Sequence, residues 1–163
     1  TIIRGGDYYY YETSSGGGTY YYYIQHDNVI GQWMFAKIGL KNLVLPTQTT
    51  EIIRDAFDHS SLEYLTIPDA VTTIGDFSFY SSRSLTNVTI GTGVTTIGRS
   101  AFYYCTSLSE VTCNPTTPPT LDETGVFSNI AGSATLFVPI GCASAYRSSD
   151  WANWFTTIEE VTR

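Results

Sequence analysis

The chain has 163 residues, enough for one domain, and 42% of them are apolar, so it can bury a sizeable core. Only 14% are charged, the formal net charge is -7, and the eight Lys and Arg are scattered, which argues against a nucleic-acid duplex or an anionic membrane as partner. No stretch approaches the roughly 18 apolar residues of a membrane span, and the three cysteines lack a C-x-x-C, which argues against a disulfide framework and a zinc site.

Residues 1–29 are atypical. Thr1-Ile2-Ile3-Arg4-Gly5-Gly6 reads like the tail of an earlier strand. Tyr8–Tyr11 and Tyr20–Ile24 suit a hairpin, with Glu12–Thr19 as a Gly/Ser loop. One reading of the Tyr runs is strand residues alternating between core and solvent, which protect a solenoid end. The other is an aromatic platform for sugar rings or a protein partner. Alternate strand residues share a face, so the carbohydrate candidates are Tyr8, Tyr10, Tyr20 and Tyr22. No signal peptide is recognisable and Thr1 is not an initiator Met. The expectation is a mature or trimmed fragment, either missing upstream repeats or capped by the hairpin.

Residues 30–113 repeat. Leu62, Leu85 and Leu108 lie 23 apart, and Leu40 lies 22 before Leu62. In that register Leu43, Leu65, Val88 and Val111 form a column, followed by Leu45, Ile67, Ile90 and Cys113. Pro46, Pro68, Gly91 and Asn114 come next, then Thr49 with Val71 and Val94, and Ile52 with Ile74 and Ile97. Ala56, Ser78 and Ala101 precede Phe57, Phe79 and Phe102. Upstream, Ile30–Phe35 aligns with Ile74–Phe79, which puts Trp33 in the column of Phe77 and Ser100 and predicts its burial on the convex side.

Each unit has a local reading. L-x-x-L-x-I ends in alternation, so Leu65 and Ile67 point in while Tyr64 and Thr66 point out. Pro or Gly then ends the strand. V-x-x-I-G is a second short extended piece, and the [AS]-F piece suits a short helical turn. One such unit cannot bury its apolar edge alone, whereas stacked units cover one another. This predicts a solenoid of about four to five coils, with residues 114–163 as a C-terminal cap. In that cap Trp151 and Trp154 share a helical face with Phe155.

These columns resemble the BspA-type leucine-rich repeat, found mainly in bacterial surface proteins. LEYLTIPDAVTTIGDFSFYSSRS at 62–84 and LTNVTIGTGVTTIGRSAFYYCTS at 85–107 carry the resemblance. The closing segment joins it through the TTPP of 116–119, Phe127 and the LFVP of 136–139. The resemblance covers about residues 28–162. It implies a leucine-rich-repeat solenoid of mostly short β-strands with short helical turns, an α/β-type repeat superhelix. It also implies adhesion or protein interaction at a bacterial surface, without catalysis.

The residues offer little chemistry. His26 and His59 have no consistently placed carboxylate, Ser or Cys, and His59 reads as an exposed turn residue. Cys113 fills an inward column, and Cys105 and Cys142 read as structural thiols. Asp55, Asp58, Asp69, Asp76, Asp122 and Glu123 are dispersed and form no calcium loop. No catalytic residue, metal site or cofactor is expected.

The outward strand row Asn42, Tyr64, Asn87 and Glu110 varies in type, and with Thr66 and Thr89 it is the expected ligand-contact surface. The expected ligand, from the family resemblance, is a protein or host-matrix component. The alternatives are a carbohydrate at the N-terminal tyrosines, or a structural spacer in a longer surface protein. The expected state is a monomer, with any end-to-end contact at the N-terminal edge, placed outside the cell or on its surface.

Overall fold

The structure is a computed structural model and describes residues 2–5, 8–12, 19–20, 28–122 and 125–161, those before 28 by backbone alone. Strands β1 (Ile2–Gly5), β2 (Tyr8–Glu12) and β3 (Thr19–Tyr20) form an antiparallel sheet, with Tyr11 opposite Tyr20 and Ile3 opposite Tyr10. Of the second Tyr segment only Tyr20 is described, and it stands opposite Tyr11; residues 21–24 lie outside the described residues. Ile2–Gly5 pairs antiparallel with β2.

From Asn28 onward the chain winds. In sequence come β4 (Val29–Ile30), β5 (Asn42–Val44), β6 (Glu51–Ile52), β7 (Tyr64–Ile67), β8 (Thr73–Ile74), β9 (Asn87–Ile90) and β10 (Thr96–Ile97). They are followed by β11 (Glu110–Cys113), β12 (Thr120–Leu121), β13 (Thr135–Val138), helix α1 (Ala143–Arg147), a 3-10 turn at Asp150–Asn153 and β14 (Thr157–Glu160). Strands β5, β7, β9, β11, β13 and β14 make one parallel sheet, and β4, β6, β8, β10 and β12 a second. The six-stranded sheet gives six turns, more than four to five. The last two come from residues expected to form a cap. They were hidden because Ser133 and Phe155 stand where the first Leu of each earlier unit stood.

Alternation builds the core. Leu65 and Ile67 are buried while Tyr64 and Thr66 are exposed. In register, Leu43, Leu65, Val88, Val111, Leu136 and Ile158 stand in file. Phe35, Phe57, Phe79, Phe102 and Phe127 stack at successive centroid distances of 5.0, 4.9, 5.0 and 5.2 Å, with planes within 10° of parallel. This spacing matches the separation of neighbouring strands, so each ring covers the next. Trp151 and Phe155 close the file at 5.3 and 5.1 Å from Phe127. The Trp151 Nε1–H donates to the Pro119 carbonyl oxygen at 2.9 Å, and Trp154 is only partly buried.

The Phe-bearing segments are turns, not the short helical pieces expected. The N–H groups of Phe57, Phe79 and Phe102 donate to the carbonyl oxygens of Ser78, Ala101 and Val126 in the next turn at 2.7, 2.8 and 2.9 Å. A helix would direct those donors within its own segment. Two left-handed residues per turn prevent one: Trp33, Asp55, Phe77 and Ser100 at one position, Lys37, His59, Ser81, Tyr104 and Asn129 at the other, with φ between 52° and 61°. Gly125 takes the first position in the fifth turn, with φ 66°.

Specific bridges mark the junctions between turns. Lys41 Nζ meets Glu63 Oε1 at 2.7 Å, Ser60 Oγ meets Ser82 Oγ at 3.0 Å, and Thr92 N–H donates to Asp69 Oδ1 at 2.7 Å. Arg99 N–H donates to Asp76 Oδ1 at 2.9 Å. At the far end Glu160 Oε1 accepts from Ala143 N–H at 3.1 Å. Bonds from Gly141 and Ala143 hold the Glu160 carboxyl below the usual carboxylate range.

Candidate ligand-contact face

The strand alternation that buries Leu65 and Ile67 presents two outward rows on the six-stranded sheet. The first runs Asn42, Tyr64, Asn87, Glu110, Thr135 and Thr157, each opposite the next. The second runs Val44, Thr66, Thr89, Thr112, Phe137 and Glu159. All six sequence-predicted contact residues therefore lie on one surface, in adjacent rows. Asn42, Tyr64, Thr66 and Glu110 are exposed, and Asn87 and Thr89 half-buried. Thr135, Thr157, Phe137 and Glu159 extend the rows and were missed. The LFVP alternation at 136–139 was the signal that could have found them.

Tyr64 (54% exposed) and Val44 (74%) are the large apolar groups this face offers to solvent. Asn87 Nδ2 donates to Glu110 Oε2 at 2.7 Å, which orients both side chains before any ligand arrives. Lys41 and Glu63 flank the row, and the Glu63 carboxylate raises the Lys41 pKa above its ordinary value. Beyond Glu63 the outward charges are the carboxylates Glu110 and Glu159. The surface can hydrogen-bond and make apolar contact at Tyr64.

Elsewhere the described residues supply little catalytic equipment. Asp58 Oδ1 lies 2.7 Å from His59 Nδ1, a carboxylate partner the sequence pattern did not reveal, and the His59 ring is exposed beside Tyr80. Cys105 and Cys113 are buried, and burial pushes both thiols up to about 12. Such thiols are poor nucleophiles near neutrality. All three cysteines, Cys142 included, are unpaired. A groove of about 340 Å³ lined by Thr92, Asn114, Thr116, Pro139, Ile140 and Val161 presents no titratable side chain. Among the described residues no group of His, Cys, Asp and Glu could hold a metal ion, and no helix is long and apolar enough to cross a membrane.

Trp33 corrects the sequence reading. It was expected inside on the convex side but is 54% exposed. Asp55, with the same left-handed backbone one turn on, is buried, so this column has no fixed environment from turn to turn. The carbohydrate candidates Tyr8, Tyr10 and Tyr20 lie in strands described by backbone alone, and Tyr22 and His26 lie outside the described residues.

The family model described as BspA type leucine rich repeat region matches residues 26–144. A leucine-rich repeat protein from Bacteroides ovatus ATCC 8483 is similar in structure, with a TM-score of 0.52 and 18% identity over 81% of this chain. A leucine rich cell surface protein from Faecalibacterium prausnitzii A2-165 gives a TM-score of 0.41 and 19% identity over 99% of this chain. The chain spans 43% of each of those two structures. No curated protein matches it.

Proposed function

Because the chain belongs to the BspA-type leucine-rich repeat family, we propose that it is a non-catalytic recognition module of a bacterial surface or secreted protein. It binds a protein or host-matrix ligand through the outward face of the six-stranded sheet. The observation that carries this reading is the in-register row Asn42, Tyr64, Asn87 and Glu110. Behind it the inward file keeps one chemistry from turn to turn. The outward row changes from amide to phenol to amide to carboxylate, which packing does not require. A surface location is what the family resemblance implies.

The test is a pull-down from surface and matrix protein preparations with the chain and with Tyr64→Ala and Asn87→Ala. Loss of capture with an unchanged melting temperature supports the reading. Undiminished capture by both variants moves the contact off this face. A chain that captures nothing from any preparation fits a spacer instead.

A further inference from the structure

Three aromatic rings, two of them exposed and Phe77 half-buried, occupy left-handed backbone positions on the turn side of the solenoid. Trp33 and Phe77 have φ of 60° and 55°, and their counterparts in other turns are Asp55, Ser100 and Gly125. At the second position Tyr104 has φ 61°, where another turn has Asn129. Left-handed backbone is unfavourable for bulky side chains and mild for Gly, Asn and Asp. The fold needs a residue that tolerates this conformation, and these three tolerate it poorly. Trp33 and Tyr104 are 54% and 39% exposed, so burial does not repay the strain.

The surroundings make these rings a surface. Tyr80 and Tyr103 stack between Phe77 and Tyr104, with centroids 5.4 Å apart and planes 6° from parallel. The Arg99 guanidinium lies 5.9 Å from the Phe77 ring centre and the Arg83 guanidinium 5.8 Å from that of Tyr104. A guanidinium resting on a ring can still use its in-plane N–H groups. Arg99 already lies 4.0 Å from Asp76 Oδ2, and Arg83 Nε–H donates to Ser81 Oγ at 3.2 Å, so it is their remaining N–H groups that face a partner. Four of the chain's eight basic residues, Lys37, Arg54, Arg83 and Arg99, are exposed along these turns. Three carboxylates of these turns, Asp55, Asp58 and Asp76, face inward or are bridged. Asp55 and Asp58 are buried, Asp55 accepts from Gln32 and Arg54, and Asp76 accepts the Arg99 N–H. A chain of net charge -7 thus carries an outward-facing basic and aromatic stripe.

We propose that this turn edge is a second contact surface, and that its occupant is an acidic, aromatic-containing segment of a partner protein. Partner carboxylates pair with Arg83 and Arg99, and partner rings pack against Trp33, Phe77 and Tyr104. Trp, Tyr and Arg are the residue types that dominate protein interfaces. The proposal is independent of the sheet-face reading, because it uses none of the same residues.

The probe is an immobilised random copolymer of Glu and Tyr, with dextran sulfate as the polysaccharide polyanion for comparison. The intact chain should bind the copolymer saturably and more tightly than dextran sulfate. Trp33→Asn with Phe77→Asn, and separately Arg83→Gln with Arg99→Gln, should each weaken binding at least about tenfold, roughly 1.4 kcal/mol. Tyr64→Ala on the sheet should leave it unchanged. The Asn variants should melt no lower than the parent, because Asn tolerates left-handed backbone. The proposal is overturned by no copolymer binding, by equal or tighter capture of dextran sulfate, by undiminished binding of the Asn variants, or by a clear fall in their melting temperature. Loss of binding in Tyr64→Ala alone assigns capture to the sheet and overturns it too.

Discussion

Phe79 and Phe102 lie face to face, 5.0 Å between ring centres and 4° from parallel, although 23 residues of chain separate them. Phe57 covers the other face of Phe79 at 4.9 Å. A ring so enclosed leaves a void when removed. Phe79→Ala should destabilise by about 3–5 kcal/mol, read from urea melts. A variant within 1 kcal/mol of the parent contradicts the stacked file.

Ser78, in the column of Ala56 and Ala101, is buried, and its Oγ has no hydrogen-bond partner. A buried hydroxyl without a partner loses its hydration uncompensated. Ser78→Ala should therefore stabilise by about 1 kcal/mol and raise Tm by roughly 2–4 °C in calorimetry. A lower Tm would show that the hydroxyl has a role in the folded chain.

Gly91 follows β9 where the chain runs against the preceding turn. A Cβ there would come within 2.4 Å of the Pro68 carbonyl oxygen. That neighbour is backbone and cannot rotate aside. Gly91→Ala should destabilise by about 1–3 kcal/mol in a denaturant melt, although Ala adds one methyl group.

The thiols supply a pH dependence. Cys105 and Cys113 are raised from an ordinary 9.0 to about 12, by desolvation above all. The folded chain thus holds thiol protons that the unfolded chain releases. This stability is fully present below the unfolded pKa and declines as pH rises toward 12. Replacing both residues with Ala should flatten the alkaline limb of a Tm–pH curve. In the native chain at pH 8, a thiol reagent should label Cys142 first; equal labelling of Cys113 would contradict its burial.

Much of the architecture was legible because inward positions recur in kind. Leu65 and Ile67 announce a strand by alternation, and Phe57, Phe79 and Phe102 announce the ring file by spacing. The outward row followed from the same alternation. The final two turns were illegible because Ser133 and Phe155 interrupt the leucine column. Trp33 was misplaced for a different reason. Column position was taken to fix burial, but at this left-handed position Asp55 is buried while Trp33 is exposed, so the column carries no constant environment. The ring–guanidinium pairs Phe77–Arg99 and Tyr104–Arg83 were equally hidden, since each joins residues more than twenty positions apart.

The bridges between coils bear on how the chain finds its own alignment. With VTTIG present twice, at 71–75 and 94–98, a coil docked one place too far would still meet Ile with Ile and Phe with Phe. Oily contacts alone scarcely distinguish the two arrangements. The polar pairs do: after such a slip Lys41 would face Thr86 instead of Glu63, and Ser60 would face Cys105 instead of Ser82. Asn114 in place of Gly91 would drive its Cβ at the Pro68 carbonyl. These few idiosyncratic positions number the coils, so that a nearly periodic chain closes in one order only.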